Sequence, residues 1–349
     1  IQKSLMKRHN QTLLKIPPNK IASRVILTLL MNIFVPLQSF AQVQQINTTN
    51  SYPPDSAQAW LAKMSESVKS LNYTISFVLL KPAVDSQPYL WRHGVNEDGL
   101  EVEQLNLLNG PGREVVRIGN KVSYFEPNVP PYSLQSSIIN GPFPSEFLQN
   151  PEKLLPGYEF IMIGRSRIAG RSAQQIRIIS KDKTRFGLNV WLDQETGLLL
   201  KMNMFGQEGQ LLEQIQVTSL QITKEPDPFF TKIEPGMLPE VISFSPSVPL
   251  KSLWEIGYIP KGMTIVKRDL RRLSRASGVV EYIMLSDGLV DVSVYLQGRD
   301  NNKPQDNLVG TVQSDTLLTI EHGELNITII GKLPATTANV IAKSIQRIK

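Results

Sequence analysis

The stretch 186–205, FGLNVWLDQETGLLLKMNMF, limits the fold of this chain more than any other. Phe186, Leu188, Val190 and Leu192 take every second position, and Leu198, Leu200, Met202 and Met204 repeat the pattern after a break. A period of two is the period of a β-strand, so these apolar chains fall on one face of an antiparallel pair. Between them, Asp193-Gln194-Glu195-Thr196-Gly197 supplies the reversal, with Gly197 free to take a positive φ. The other face carries Asn189, Trp191, Lys201 and Asn203 and is expected to be mixed and wetted. Two strands alone are not stable in water. More strands must flank this pair, and another element must cover its apolar face.

A cover lies upstream. From Asp55 or Ser56, the residues Ala57, Trp60, Leu61, Met64, Val68 and Leu71 recur at spacings of three and four, the mark of an amphipathic helix. Short alternating runs follow at 73–80, 89–93, 102–108, 114–118 and 121–125, then at 158–163, 172–179, 186–192, 198–205 and 211–222. Turn residues such as Asn109-Gly110-Pro111-Gly112 and Gly119-Asn120 separate them, so the strands form an antiparallel meander. The insert 128–156, rich in proline and large apolar residues, reads as loops with one or two short helices over an edge or mouth of the sheet.

Residues 223–250 hold six prolines and little periodicity, which predicts a semi-rigid linker. A smaller α+β unit then spans 251–349, with strands near 254–258, 264–269, 279–286, 289–297 and 325–330 and a final helix from Pro334 or Ala335 to about Ile348.

The sequence pI of 9.3 suggests a nucleic-acid binder only until the charge is placed. Residues 1–41 contain Lys3, Lys7, Arg8, Lys15, Lys20 and Arg24 and no acid, and the rest of the chain carries 31 basic against 31 acidic residues. The basic stretch, the apolar run Val25–Leu37 and Ser39-Phe40-Ala41 have the layout of a secretory signal cleaved after Ala41. At 13 residues the apolar run is short for a membrane span. The expected organisation is therefore a signal peptide (1–41), a large domain (42–222), the linker (223–250) and a small domain (251–349), exported and without stable membrane insertion. The chain has no cysteine, hence no disulfide, thiolate nucleophile, thiolate metal site or lipobox.

No catalytic constellation is visible. His93 and His322 stand alone, and GxGxxG, GxxxxGK[ST], GxSxG and HExxH are all missing. The expectation is a protein that is not an enzyme and holds no cofactor or metal. Two features could bind. The apolar face (Val190, Leu192, Leu198, Leu200, Met202, Met204) could hold an acyl chain if its cover leaves a gap, with methionine as an adaptable lining. The cations Lys267, Arg268, Arg271, Arg272 and Arg275 could meet lipid phosphates or an acidic partner, as could Arg165, Arg167 and Arg171.

Several long blocks, in order, resemble the RseB/MucB family. They are GPGREVVRIGNKVSYFEP (110–127), YEFIMIGRSRIAGRSAQQIRII (158–179), VWLDQETGLLLKMNMFGQEGQLLEQIQV (190–217), YIPKGMTIV (258–266), LSDGLVDVSVYL (285–296) and ITIIGKLPATTANVIAKSI (327–345). The resemblance implies an α+β fold: a curved antiparallel half-barrel sheet with helices in its concave face, like the lipoprotein carrier LolA, plus a smaller α+β C-terminal domain. It implies a periplasmic regulator of the sigma-E envelope stress response. Such a regulator binds the periplasmic domain of the anti-sigma factor RseA and shields it from DegS and then RseP. Lipopolysaccharide or lipoprotein acyl chains would release it. A LolA-type lipid or lipoprotein carrier is the alternative, and the oligomeric state is left open, self-association included.

Overall fold

The computed structural model describes residues 52–243, 252–272, 279–299, 308–312 and 314–348. The expected signal peptide, its cleavage point, the end of the linker and Arg275 lie outside the described residues.

The first sheet has eleven strands: β1 (Asn72–Leu80), β2 (Gln87–Val95), β3 (Glu101–Leu107), β4 (Arg113–Ile118), β5 (Lys121–Phe125), β6 (Tyr132–Gln135), β7 (Tyr158–Ile168), β8 (Arg171–Ser180), β9 (Gly187–Asp193), β10 (Leu199–Phe205) and β11 (Leu211–Thr223). Their order is β6-β5-β4-β3-β2-β1-β11-β10-β9-β8-β7, two antiparallel meanders joined where β1 pairs with β11. The outermost strands β6 and β7 do not pair with each other, so the sheet is open.

Helix α1 (Ala57–Ser70) begins at Ser56, whose Oγ accepts from Ala59 N at 3.1 Å, and it touches both β2 and β7. Those strands are six steps apart in the sheet, roughly 29 Å if it were flat at about 4.8 Å per step. A helix about 10–12 Å wide reaches both only if the sheet curls around it. Leu61, Met64 and Val68 of α1 accordingly join Ile75, Phe77, Ile176, Val190 and Ile215 in one core. Helix α2 (Ser145–Gln149) and a 3-10 turn at Pro151–Leu154 pack beside α1 and bury Phe147, Leu148 and Leu154, so the insert closes part of the hollow.

Gly197, at φ 83°, needs to be glycine twice over: a Cβ there would lie 2.9 Å from Lys63 Cγ of α1. Lys63 Nζ donates to Gln194 O and Glu195 O at 2.9 Å each, so the helix is bolted to the hairpin turn.

The linker is less free than its prolines suggest. Ile242 N donates to Ser133 O at 2.8 Å, and Ser133 Oγ donates to Pro239 O at 2.7 Å. This segment covers the outer edge of β6, a short strand with too little sequence periodicity to be foreseen.

The second unit comprises β12 (Trp254–Ile256), β13 (Thr264–Arg272), β14 (Val279–Ser286), β15 (Asp291–Gly298), β16 (Leu308–Val312), β17 (Asp315–His322), β18 (Leu325–Gly331), α3 (Ala335–Lys343) and β19 (Ile345–Arg347). Its main sheet runs β13-β14-β15-β18-β17-β16, while β12 pairs with β19. Ala338, Ile341 and Ala342 of α3 pack on that sheet. The expected final helix ends early because the backbone finds other partners. Gly257 N donates to Ser344 O at 3.0 Å, and Ile345 to Arg347 pair with β12. Strands β16 and β17 were not anticipated.

Candidate functional site

The hairpin β9–β10 places Val190 opposite Met202 and Leu188 opposite Met204. A register shift between Leu199 and Lys201 breaks the alternation, and Leu198, Leu199 and Leu200 are all buried. The other face is drier than expected. Trp191 is 9 % exposed under Lys201, whose Nζ lies 5.1 Å from the ring centroid, and Asp193 is buried by a two-pronged bond from Arg171 at 2.8 and 2.9 Å. Burial opposes the Asp193 charge, but Arg171 and Thr196 outweigh it and hold the carboxyl below its ordinary value.

Val190, Leu192, Leu198 and Leu200 are at most 1 % exposed and packed into the core shared with α1. Met202 and Met204 differ. With Leu188 they form one wall of a cavity of about 580 Å³, and Met284, Leu289 and Val290 of the small unit form another. Segment 138–146 lines it as well. A second cavity of about 330 Å³ has walls of Leu79, Tyr89, Leu105 and Val115. Both linings include Gly141, Pro142, Glu213 and Lys332. These volumes fall within the usual range of small-molecule pockets.

Among the described residues two charged clusters tie the units around this cleft, and Thr337 Oγ1 of α3 also donates to Thr184 O at 2.9 Å. In the first, Arg185 is fully buried. Its Nε lies 3.1 Å from Asp287 Oδ2 and donates to Tyr158 OH at 3.2 Å, and Tyr158 OH in turn donates to Asp287 at 2.8 Å. Arg185 Nη1 donates to Asp182 Oδ1 at 3.1 Å, Nη2 donates to Lys261 O, and Asp182 Oδ2 accepts from Lys261 N at 2.7 Å. Burial lifts the Tyr158 hydroxyl far above its ordinary range and Asp287 adds to that, so the phenol stays a donor. Here the two backbones touch. Gly262, at φ 86°, would carry a Cβ only 2.7 Å from Gly157 N.

The second tie centres on Glu213 of β11, whose side chain is 2 % exposed. Lys332 Nζ donates to its two oxygens at 2.8 and 3.1 Å, Ser314 Oγ donates at 3.1 Å, and Lys81 Nζ lies 3.5 Å away. The sequence reading missed both ties. An Asp in a Ser-Asp-Gly turn and a Glu in a strand give no local sign of a distant partner.

The basic cluster is only partly assembled. Lys267, Arg268, Arg271 and Arg272 lie on the edge strand β13. Arg268 Nη1 is committed to Glu281 at 3.2 Å, Arg271 stacks 3.6 Å over Tyr282, and Lys267 lies 3.9 Å from Asp269. Arg165 and Arg167 lie on strand β7, ahead of the reversal at Ala169-Gly170.

One further charged layer crosses the large sheet, where His93, Glu103 and Arg117 stand opposite one another on β2, β3 and β4. Arg117 Nε donates to Glu103 Oε2 and Nη2 to Glu101 Oε2, both at 2.7 Å. His93 beside Glu101, helped by Arg117, brings that carboxyl down to about 2 against the effect of burial. Among the described residues no cluster of His, Cys, Asp and Glu could hold a metal ion, and no helix is long and apolar enough to cross a membrane.

An open sheet wrapped on a helix, with a smaller sheet tied across an apolar cleft at its mouth, defines a two-unit binding protein. The chain belongs to the MucB/RseB family: the family models for the MucB/RseB N-terminal and C-terminal domains match residues 56–242 and 249–346. It is 33% identical over 301 residues to the sigma-E factor regulatory protein RseB of Salmonella typhimurium, covering 86% of this chain and 93% of that one. It is 27% identical over 294 residues to the sigma factor AlgU regulatory protein MucB of Pseudomonas aeruginosa, covering 83% and 90%. The fold superimposes on MucB in the Pseudomonas aeruginosa MucA/MucB complex with a TM-score of 0.69 at 23% identity, covering 84% of this chain and 99% of MucB's. The family is one of sigma-factor regulatory proteins.

Proposed function

We propose that this protein is a periplasmic negative regulator of a sigma-E-type stress response. It binds the periplasmic domain of an anti-sigma factor of the RseA/MucA kind and shields that domain from proteolysis. The signal peptide is removed near Ala41, residues 42–222 and 251–349 form the two domains, and residues 223–250 join them. The protein acts by occupancy and carries out no chemistry of its own. An amphiphile such as lipopolysaccharide or a lipoprotein acyl chain enters the cleft and favours an arrangement of the domains that binds the partner less well. Coupling of this kind requires the ligand to prefer one arrangement over the other.

The observation that carries this reading is membership of the family over both domains, alongside relatives named as sigma-factor regulators and a MucB solved with MucA. The apolar cleft supports the amphiphile. The test is affinity for a purified anti-sigma periplasmic domain, measured with and without lipopolysaccharide and paired with a protease-protection assay. Saturable binding, protection and weakening by lipopolysaccharide are expected. No binding, or turnover of the partner by the protein itself, would overturn the reading.

A further inference from the structure

Glu213 occupies a place that sheet packing does not ask for. It lies on β11 beside the apolar Leu212 and Ile215, with its carboxylate almost fully buried. Such a charge is costly unless partners surround it. Its partners come from three places outside its own strand: Lys81 just after β1, Lys332 just after β18 and Ser314 just before β17. Lys81 and Lys332 are 23% and 34% exposed, and both line the smaller cavity. Asp315, 3.8 Å from Lys81 and 48% exposed, is the other acid at the cluster. Two ammonium groups at the rim of an apolar hollow are a receptor for an anion, and here the protein's own carboxylate fills it.

We infer that Lys81 and Lys332 bind the anionic headgroup, phosphate or carboxylate, of the amphiphile, and that Glu213 is the internal competitor this headgroup displaces. The inference rests on the amphiphile reading above. The chain of such a ligand meets Leu79, Leu105 and Val115 in one cavity or Met202 and Met204 in the other, and the headgroup sits where the two linings share residues. Once a headgroup takes Lys332, the ion pair from β11 to the small unit is broken and only the neutral Ser314 hydrogen bond is left to Glu213 on that side. The Arg185–Asp287 tie is untouched and becomes the pivot. An uncharged amphiphile fills the hollow without releasing Glu213 and leaves the units tied. The selectivity therefore sits in the salt bridge, while the apolar walls supply affinity for any chain.

Isothermal titration calorimetry of the protein with dodecyl phosphate, dodecyl maltoside and inorganic phosphate tests this, each amphiphile below its micelle-forming concentration. Wild type is expected to bind dodecyl phosphate more tightly than dodecyl maltoside and inorganic phosphate weakly. Glu213→Gln removes the competitor and tightens dodecyl phosphate by about tenfold, the scale of a close charged contact, with dodecyl maltoside unchanged. Lys332→Met abolishes the preference for phosphate. Equal binding of both amphiphiles by wild type overturns the headgroup assignment but leaves the amphiphile reading intact. Binding of neither overturns both. Inorganic phosphate binding as tightly as dodecyl phosphate overturns the role of the chain. If Glu213→Gln loses its native circular dichroism, Lys332→Met decides, and an undiminished preference for phosphate sinks the proposal.

Discussion

Arg185–Asp287 and Lys332–Glu213 both join the large sheet's unit to the small one, at 3.1 and 2.8 Å, yet they sit in opposite surroundings. In the first, cation and carboxylate are both sealed from water, and Tyr158, Asp182, Thr184 and the Lys261 carbonyl occupy the remaining valences. In the second, only the carboxylate is sealed, and the lysines that hold it reach solvent and the cavities. The polarity is reversed as well, with the cation on the large unit in one and on the small unit in the other. A pair with no route to water can only be kept or lost. A pair whose cations can turn to water or to another anion can be exchanged. The first tie is therefore a pivot and the second a catch.

The largest effect that follows is at the pivot. Asp287→Asn keeps an oxygen for the turn, where Oδ1 accepts from Leu289 N and Val290 N at 3.0 and 2.9 Å, and replaces Oδ2, the acceptor facing Arg185 and Tyr158 OH, with an uncharged amide donor. Leaving a buried guanidinium short of a carboxylate should cost about 3 kcal/mol, the low end for a broken buried pair because Asp182 remains. Urea denaturation measures it, and a loss below about 1 kcal/mol would erase the distinction between the ties. Glu213→Gln should cost less, about 1–2 kcal/mol, because Lys81 and Lys332 can turn to water once released. A loss equal to that of Asp287→Asn would show that the catch is as fixed as the pivot.

Acid should act on the pivot through Asp182. Burial works against its charge, but Thr184, the Lys261 amide and Arg185 outweigh it and hold the carboxyl below its ordinary value. A depressed carboxyl stabilises the fold fully above its unfolded pKa of about 4, and the contribution is lost as pH falls further. The stability difference between wild type and Asp182→Asn, expected to be no more than about 1 kcal/mol at neutral pH because Asp182 is partly exposed, should shrink as pH falls below about 4 and disappear once pH has passed through the depressed folded-state pKa. A difference that grows on acidification would reverse the sign and refute the assignment.

The sequence exposed one of these regions and hid the other. Alternation at 186–205 and the stripe on α1 announce a sheet with a cover, because a face that must be buried repeats at the period of its element. The ties leave no such trace. Arg185 and Asp287 are 102 positions apart and Glu213 and Lys332 are 119, so only the folded chain brings them together. The same gap explains why Lys267–Arg271 looked like an available basic patch. Glu281 and Tyr282, on the neighbouring strand β14, already engage Arg268 and Arg271. Strands β16 and β17 escaped because Gly310 and the polar run 313–316 interrupt their apolar residues before a period of two is established, although Leu318 and Ile320 are buried once β18 pairs alongside. Val190, Leu192, Leu198 and Leu200 were indistinguishable from Met202 and Met204 by period. What divides them is where the cover stops.

The smallest effect concerns the catch alone. Lys81 Nζ stands 3.5 Å from Glu213, against 2.8 Å for Lys332, and is shared with Asp315 at 3.8 Å. A long, partly exposed contact gains little over water and gives up side-chain freedom. Lys81→Ala should therefore change stability by less than about 0.5 kcal/mol, and raising salt from about 0.1 to 1 M should remove what difference there is. Lys332→Ala, measured beside it, should cost more and respond less to salt because Lys332 donates to both oxygens of the same carboxylate, at 2.8 and 3.1 Å. If the two variants change places, Lys81 is the closing element, and the catch then joins β1 to β11 within one sheet. Only the neutral Ser314 hydrogen bond and the long Lys81–Asp315 contact would then cross the cleft, and the contrast with Arg185–Asp287 would lose its charged catch.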